Sequence, residues 1–509
     1  MRSTVVLPAG KQQGQVAARS AAAAAQRSSI APPSDGPRIR PDRFGELEAY
    51  RGVAALLIVV FHAYQYSREA LRRPRYVYEG TPWHHVFNNL DGGVAWFFVL
   101  SGFLVFLPFA RAAVEQRSAL SIGSYLSRRA FRILPPYYLA IVLVWTWRYT
   151  GSPGERTDLI EHLTFTYIFD VRHIFWTIGP AWSLAVEVIF YLFLAGFGPL
   201  ACWLCGRWGT PPARATALAG GITVLLVASV AYKWWAATVA RVSTQDWPVY
   251  FGPMAKLDTF ALGMLLAVAA AVLGNRLLLA GPAPAALRLL GILMLVACFI
   301  LRSPGSLIDV YFDTLSGLAF ALVLASTILG PRGLAWERAL ARPAPRFLGL
   351  ISYSIYLWHE PLMEELGKRN LLIHQAPTAF PANALLLLLL SVAVATVSYW
   401  LVERPSRHLS NLFTRAGRLV RQHPDGSGMA SSRATRLAVA TQVASVLVLG
   451  PVAAALAIHH PWVPLLLAVP VAIVQPFLPP RLRLFNQNQP RVSSERTPES
   501  TNKSGVSDR

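Results

Sequence analysis

The sequence is divided into long apolar blocks, and the length of these blocks constrains the fold more than any other feature. Each block has about 17 to 25 residues, the length of helix that crosses roughly 30 Å of hydrocarbon. Hydrophobic residues make up 54% of the chain and charged residues 14%, against about a quarter charged in soluble domains. The pattern predicts an all-α, polytopic transmembrane protein, and it excludes both a soluble protein and a membrane barrel.

The apolar blocks predict ten core spans followed by a C-terminal pair. The core spans lie at about 49–67, 92–112, 136–150, 183–200, 215–235, 256–274, 286–301, 309–329, 347–366 and 383–402. The pair lies at about 437–458 and 462–479, in an extra hydrophobic hairpin at about 436–483. Polar, low-complexity composition predicts disorder in the tails at 1–44 and 484–509 and in the basic linker at 411–435. The membrane domain is therefore expected at about 45–410.

Arginine is unevenly distributed between the connectors. If the first span leaves the cytoplasm, most connectors on the cytoplasmic side are rich in Arg, so the positive-inside rule predicts two cytoplasmic tails. One connector contradicts this orientation because it would lie outside with four arginines: Arg68, Arg72, Arg73 and Arg75. The net charge of +21 lies mainly in connectors and tails, so nucleic-acid binding is not expected. Three cysteines give no disulfide framework and no zinc site, so we expect no metal.

Ionisable groups inside a span cost about 2.5 to 3.5 kcal/mol on insertion scales, so those that occur are functional candidates. Arg51 and His62 in the first span are almost three helical turns apart and share one face, separated by about 16 Å along the axis. His62 would lie deeper, and histidine is suited to remove a proton from an acceptor hydroxyl near neutral pH. The alternatives are a membrane anchor for Arg51 and a helix-packing role for His62.

A basic segment precedes the third span on the predicted cytoplasmic side. Arg128, Arg129 and Arg132 are followed by Pro135 and Pro136. Proline suits the first turn of a helix, where free N–H groups attract anions, and Arg adds charge-assisted bonds to phosphate. The segment is therefore a candidate site for the phosphates of coenzyme A. The alternative is ordinary anchoring by positive charge.

Two further spans carry polar side chains at helical spacing. Trp182 and Ser183 begin the fourth span, and Glu187 lies about one turn inside it, where it could pair with His62 or Arg51 or bind acceptor hydroxyls. In the ninth span, the polar residues Ser352, Tyr356 and His359 share one face. The alternative is that this face only packs against other helices through hydrogen bonds. We expect Trp182, Ser183, Ser352, Tyr356 and His359 to bind the acceptor.

Taken in order, six segments of the chain resemble the acyltransferase-3 family of integral-membrane O-acyltransferases over about 45–408. The segments are Arg51 with His62, Trp96–Leu104, Arg129–Pro135, Trp182–Glu187, Ser352–Pro361 and Glu403–Pro405. The resemblance implies a ten-helix enzyme that moves an acyl group, most simply acetyl, from cytoplasmic acyl-CoA to a hydroxyl of a carbohydrate, glycolipid or glycosylated small molecule. It also implies that His62 is the catalytic base and that Arg51, Arg129 and Arg132 bind the donor. Arg128 belongs to the same basic segment and is also expected to bind the donor. Glu187 is expected to act in catalysis by orienting either the His62 imidazole or the acceptor.

The resemblance also bears on cofactors, partners and location. No permanently bound cofactor is implied, because acyl-CoA is a co-substrate. The resemblance also implies a multi-pass protein in the bacterial cytoplasmic membrane. Some relatives complete transfer with a C-terminal extracytoplasmic esterase-like domain, which we do not expect here, so transfer either ends within the membrane part or needs a separate partner. The rival function is a transporter of a small anionic or sugar-like substrate, although the paired broken helices typical of transporters are not evident.

Overall fold

The computed structural model describes residues 42–69, 75–117, 121–148, 156–273, 279, 281–331, 335–373 and 379–411. These residues form helices, turns and connecting segments, and the described part contains no strand, which confirms the predicted all-α fold. Arg72 and Arg73, most of the N-terminal tail, nearly all of the basic linker, the C-terminal hairpin and the final tail lie outside the described residues.

Ten long helices match the ten predicted core spans. They are α1 (Asp42–Glu69), α2 (Gly93–Glu115), α3 (Ile122–Arg148), α4 (Trp182–Cys205), α5 (Pro211–Trp234), α6 (Pro253–Leu273), α7 (Ala283–Leu301), α8 (Phe312–Leu329), α9 (Ser352–Lys368) and α10 (Ala379–Ser398). Shorter helices lie at Pro82–Asn88, Arg156–Thr164, Trp247–Phe251, Leu307–Val310, Ala335–Leu340 and Pro343–Leu350. Single 3₁₀ turns lie at Leu90–Gly92, Tyr167–Phe169 and Gly179–Ala181, and π-helical turns at Trp235–Val239 and Tyr399–Glu403.

Nine helices of the described residues are long and apolar enough to cross a membrane, and α9, which matches the ninth predicted span, is not among them. Helix α9 has 17 residues and includes Glu360 and Glu364. It nevertheless runs from one face of the bundle to the other. At its start, Gly349 abuts the Glu48 backbone near the beginning of α1, and near its end Glu364 pairs with Arg148 at the end of α3, with 2.5 Å between Oε2 and Nη2.

We call the two ends of the bundle the N-terminal face, where α1 begins, and the opposite face, where α3 ends. Helix α2 lies at the centre and packs against α1, α4, α6 and α8. Its contact with α6 is backbone to backbone: a Cβ added to Gly102 would lie 2.2 Å from the carbonyl oxygen of Phe260, and one added to Gly263 would lie 2.0 Å from that of Val99. Small residues permit such close helix packing in membranes.

A similar close approach positions the part of α1 that carries Arg51. A Cβ on Gly52 would lie 2.7 Å from the backbone nitrogen of Gly349, and one on Gly349 would lie 1.8 Å from the carbonyl oxygen of Glu48. Neither position has room for a side chain. The start of α1 is therefore held against Pro343–Leu350, the helix that leads into α9, which brings α1 and α9 side by side.

The segment between α3 and α4 folds over the opposite face. The Tyr137 hydroxyl of α3 donates to the carbonyl of His162 at 2.9 Å, and the Thr177 hydroxyl donates to the buried carboxylate of Asp158 at 2.5 Å. The Tyr167 hydroxyl donates to the carbonyl of Ala181 at 2.5 Å. These bonds fix the turn Gly179–Ala181, from which α4 begins with Trp182 and Ser183.

Candidate active site

A pair of histidines lies inside the bundle. Nε2 of His359 in α9 is 3.1 Å from Nδ1 of His62 in α1. His359 is fully buried, whereas His62 is only partly buried. Each Nδ1 also faces a carbonyl oxygen of its own helix, that of Ile58 at 3.0 Å and that of Ile355 at 3.2 Å. The sequence did not predict that these two histidines would touch, because they are 297 positions apart.

Tyr356 and Ser183 form a pair of hydroxyls, and the Tyr356 ring lies near His359. Tyr356 precedes His359 by one helical turn, and its hydroxyl lies 2.7 Å from that of Ser183 and donates to the carbonyl of Pro180 at 2.8 Å. The rings of Tyr356 and His359 are 5.8 Å apart. Ser183, Tyr356 and His359, all predicted to bind the acceptor, therefore lie together at one place.

The other two predicted acceptor residues make no contact with the histidine pair among the described residues. Ser352 lies at the start of α9, where its buried hydroxyl donates to the carbonyl of Gly349 at 2.8 Å. This bond belongs to the turn that leads into the helix. The Trp182 ring is buried and packs against the Phe251 ring at 4.3 Å between centroids, beneath the ammonium group of Lys256, which is 5.3 Å from the Trp182 ring.

The structure does not bring Glu187 to His62. The Glu187 carboxylate accepts hydrogen bonds from the hydroxyls of Ser101 in α2 and Tyr191 in α4. The expected Glu187–His62 pair therefore does not form in the described residues. Glu187 lies one turn nearer the N-terminal face than Ser183, and close enough to Arg51 to interact electrostatically with it, so the alternative pairing with Arg51 fits better.

Arginines surround Glu187 on the side of the N-terminal face. The Arg51 guanidinium lies 6.0 Å from the Phe97 ring, and that of Arg129 lies 5.5 Å from the Tyr191 ring. Arg132 also acts electrostatically on Arg51. The Nε atoms of Arg51 and Arg129 are buried and have no hydrogen-bond partner among the described residues. We call Arg51, Arg129 and Arg132 the arginine cluster.

The Arg128 side chain leaves α3 on a different side from those of Arg129 and Arg132. Consecutive residues on a helix point about 100° apart, so Arg128 and Arg129 leave α3 in different directions. Arg132 follows Arg129 by three positions and shares its face. The helix geometry thus groups Arg129 and Arg132, but not Arg128, with Arg51.

A second set of charges, which was not predicted from the sequence, lies near the opposite face. Lys233 Nζ is 2.6 Å from Asp258 Oδ2 and donates to the Thr314 hydroxyl at 2.6 Å. Lys256 pairs with Asp313. We call these five residues the paired network. Lys233, Lys256 and Asp258 all fall within predicted spans, so the test that selected His62, an ionisable group inside a span, would have found them.

One group of metal-ligand type lies on the segment that covers the opposite face. His173 Nδ1 is 2.9 Å from Glu161 Oε2 and 3.6 Å from Asp170 Oδ2, and these three side chains could surround a cation. Asp170 is also held by Arg172, with 2.7 Å between Oδ2 and Nη2. Ion pairs and hydrogen bonds within the chain already account for the positions of all three side chains.

Comparison with known proteins identifies the family. The model of the acyltransferase-3 family, described as an acyltransferase domain, matches residues 44–400. The chain is 25% identical over 329 residues to the exopolysaccharide production protein ExoZ of Rhizobium meliloti, which covers 63% of this chain and 90% of ExoZ. It is 28% identical over 341 residues to the peptidoglycan O-acetyltransferase OatA of Listeria monocytogenes, which covers 62% of this chain and 51% of OatA.

A further relative extends the comparison. The putative peptidoglycan O-acetyltransferase YrhL of Bacillus subtilis is 26% identical over 361 residues, covering 64% of this chain and 52% of YrhL. The chain thus spans about half the length of the two peptidoglycan relatives. No solved structure matches the chain. The family model leaves the transporter hypothesis without support. The chain belongs to the acyltransferase-3 family, as its six ordered segments predicted, and is a membrane enzyme that transfers acyl groups.

Proposed function

We propose that this enzyme moves an acyl group, most simply acetyl, from cytoplasmic acyl-CoA to a hydroxyl of a carbohydrate, glycolipid or glycosylated small molecule. Two relatives are named as peptidoglycan O-acetyltransferases and a third as an exopolysaccharide production protein, which supports a hydroxyl acceptor on an envelope polymer. Within the chain, the proposal depends mainly on one observation. Helix α1 connects the arginine cluster, which has unpaired donors, with the histidine pair about three turns away.

The arginine cluster is suited to bind the phosphates of the donor. Guanidinium groups form strong, charge-assisted hydrogen bonds to phosphate, and the buried Nε atoms of Arg51 and Arg129 lack a partner within the described residues. A buried donor without a partner is costly unless a ligand or water satisfies it. The flexible pantetheine arm of coenzyme A would extend from this cluster toward His62, and its thioester would reach the histidine pair. No permanently bound cofactor is needed because the thioester is already activated.

His62 supplies the base for the chemical step. As the acceptor oxygen attacks the thioester carbon, His62 takes the proton of the hydroxyl. The new C–O bond forms, the C–S bond breaks, and the proton passes from His62 to the departing coenzyme A sulfur. The products are an ester and free coenzyme A. Ser183 and Tyr356 would hold the acceptor in place, since their hydroxyls are 2.7 Å apart and the Tyr356 ring lies 5.8 Å from that of His359.

Transfer by the purified enzyme tests this function. The protein is reconstituted in lipid nanodiscs with acetyl-CoA that carries a labelled acetyl group, and envelope polysaccharide fractions are added. We expect labelled, alkali-labile ester on a carbohydrate and an equal amount of free coenzyme A. Transfer by the protein alone would show that the membrane part completes the reaction. Label that leaves acetyl-CoA only when an extracytoplasmic fraction is added would indicate a separate partner, and no turnover of acetyl-CoA under any condition would contradict the proposal.

The orientation that this function requires is the one that the arginine distribution predicts, with both tails in the cytoplasm. Single cysteines can test it in a background that lacks Cys202, Cys205 and Cys298, the three natural cysteines. Arg117, two residues after the end of α2, and Val171, on the opposite face, are both exposed. In intact cells we expect an impermeant thiol reagent to label Val171→Cys and to spare Arg117→Cys until the membrane is opened. The reverse pattern would place the arginine cluster outside, away from cytoplasmic acyl-CoA.

A further inference from the structure

We propose that His359 is a positioning residue, which holds His62 in the one tautomer that leaves its Nε2 free to accept a proton. From the sequence, Glu187 was expected to orient either the His62 imidazole or the acceptor, and His359 was expected to bind the acceptor. The inference rests on the proposed function, since it explains how His62 can act as the base of the transfer reaction. It follows from three contacts made by two imidazole rings.

The first contact fixes the proton of His359. Its Nδ1 lies 3.2 Å from the carbonyl oxygen of Ile355. A carbonyl oxygen only accepts hydrogen bonds, so Nδ1 must carry the hydrogen. A neutral imidazole has one N–H group. Nε2 of a neutral His359 therefore has a lone pair, and this lone pair faces His62.

The remaining two contacts fix the proton of His62. Its Nδ1 lies 3.1 Å from Nε2 of His359 and 3.0 Å from the carbonyl oxygen of Ile58. Both neighbours are acceptors, so Nδ1 of His62 must be the donor to them. Nε2 of His62 is then the nitrogen without a hydrogen. In the opposite tautomer, the Nδ1 lone pair would face two other lone pairs at hydrogen-bond distance, with no proton between them.

The two histidines have different surroundings, which makes their roles distinct. His359 is fully buried, and both of its ring nitrogens are engaged in contacts. His62 is only partly buried, and its Nε2 has no hydrogen-bond partner among the described residues. Only His62 can therefore present a free nitrogen to an acceptor hydroxyl. His359 orients it as the aspartate of a serine-protease triad orients its histidine, but without a negative charge.

Two variants of His359 separate this role from simple packing. His359→Leu replaces the imidazole by an apolar side chain of similar size and removes the acceptor for the Nδ1 hydrogen of His62. His359→Gln can present an amide oxygen near the position of Nε2 and can accept that hydrogen. By analogy with residues that orient metal-bound histidines, we expect His359→Leu to lower kcat about ten- to a hundredfold. We expect His359→Gln to recover part of the loss, with KM for acetyl-CoA unchanged in both variants.

The tautomer itself can be measured without any turnover. Nitrogen-15 NMR of protein labelled in histidine distinguishes a ring nitrogen that carries hydrogen from one that does not. Comparison with the spectrum of His62→Ala identifies the signals of His62, and the exposed His85→Leu serves as a control for loss of any histidine. We expect Nε2 of His62 to be unprotonated in the wild type and the two tautomers to mix in His359→Leu.

The outcomes separate failure of this inference from failure of the proposed function. Protonated Nε2 in wild-type His62, or full kcat in a folded His359→Leu protein, would overturn the role of His359 even if acetyl transfer were observed. Absence of transfer would contradict the proposed function and leave the NMR result to decide the tautomer. Equal losses of kcat in the Leu and Gln variants, with the wild-type tautomer kept in both, would reduce His359 to a packing residue.

Discussion

The two intramembrane sets of charges differ in how their charges are satisfied. In the paired network, Lys233 Nζ contacts both Asp258 and Thr314 at 2.6 Å, and Asp258 also accepts from the Thr314 hydroxyl at 2.5 Å. In the arginine cluster, Nε of Arg51 and of Arg129 are buried without a hydrogen-bond partner among the described residues. The network is complete within the chain, whereas the cluster needs further acceptors.

This difference separates charges that hold the fold from charges that bind a ligand. Burying a charge is costly unless it is paired and hydrogen-bonded. A buried pair that is complete, such as Lys233 with Asp258, connects helices and leaves no donor for a substrate. A buried arginine with free donors keeps part of its hydrogen-bonding capacity for a bound anion. Substitutions in the two sets should therefore change different properties of the enzyme.

The largest effect on transfer is expected at His62. The arginine cluster would bind the acyl-CoA whose thioester reaches this histidine. A positioned base typically contributes about a hundred- to ten-thousandfold in rate. We expect His62→Ala to lose acyl transfer by about that factor while binding acetyl-CoA and melting as the wild type does. Single-turnover kinetics and donor binding by purified protein measure these quantities. Near-normal turnover in both His62→Ala and His62→Gln would remove His62 from the chemical step.

In the paired network we expect the main effect on stability. Asp258→Ala leaves the ammonium group of Lys233 buried without its carboxylate, and breaking such a pair costs about 3 to 5 kcal/mol. The double variant Lys233→Met/Asp258→Leu removes both charges and should recover most of this loss. Thermal unfolding in detergent compares the two, with transfer assayed on the folded fraction. If the double variant regains stability but not transfer, the network takes part in the reaction and the comparison fails.

In the arginine cluster we expect a smaller effect that is confined to the donor. Each hydrogen bond to a charged group contributes about 1.5 to 3 kcal/mol, so replacing Arg129 and Arg132 by Gln should raise KM for acetyl-CoA at least about tenfold. The Lys variants should recover only part of the affinity, because an ammonium group cannot make the two parallel bonds of a guanidinium. Donor affinity is measured by titration, with Arg128→Gln as the matched change on a different side of α3. Unchanged affinity in the double Gln variant would make these arginines membrane anchors.

The smallest effect is expected at an exposed pair on the segment that covers the opposite face. Hydrogen bonds from the side chain and backbone of Arg172 lower the pKa of Asp170 from 3.8 to about 2. Because the pKa in the folded state is lowered, the stabilisation is present above about pH 3.8 and is lost as the pH falls through about 2. Exposed pairs contribute at most about 1 kcal/mol. Arg172→Ala should therefore lower the melting temperature only slightly at pH 7. A large decrease would contradict this expectation and show that the pair stabilises the protein although it is exposed.

Several features of the site could be predicted from sequence because they lie within one helix. The Arg51–His62 spacing, the common face of Arg129 and Arg132, and the common face of Tyr356 and His359 follow from 3.6 residues per turn. Contacts between helices could not be predicted in this way. Glu187 could have paired with His62 or Arg51 or bound the acceptor. It bonds to Ser101 and Tyr191 and lies near Arg51, because the rotation of α4 about its axis is set by packing against α2. Packing of α1 against α9 likewise brings His62 to His359.

The sequence by itself determined that this protein is an all-α membrane enzyme of the acyltransferase-3 family. The length of the apolar blocks selects membrane helices, since every backbone group in lipid must be bonded within the span. The tertiary structure decided which charges are paired and which histidine nitrogen is free. Those outcomes depend on distances of about 3 Å between residues on different helices, and close backbone contacts such as Gly52 against Gly349 set these distances. The helical period places a side chain on a face, but only packing selects the neighbour of that face.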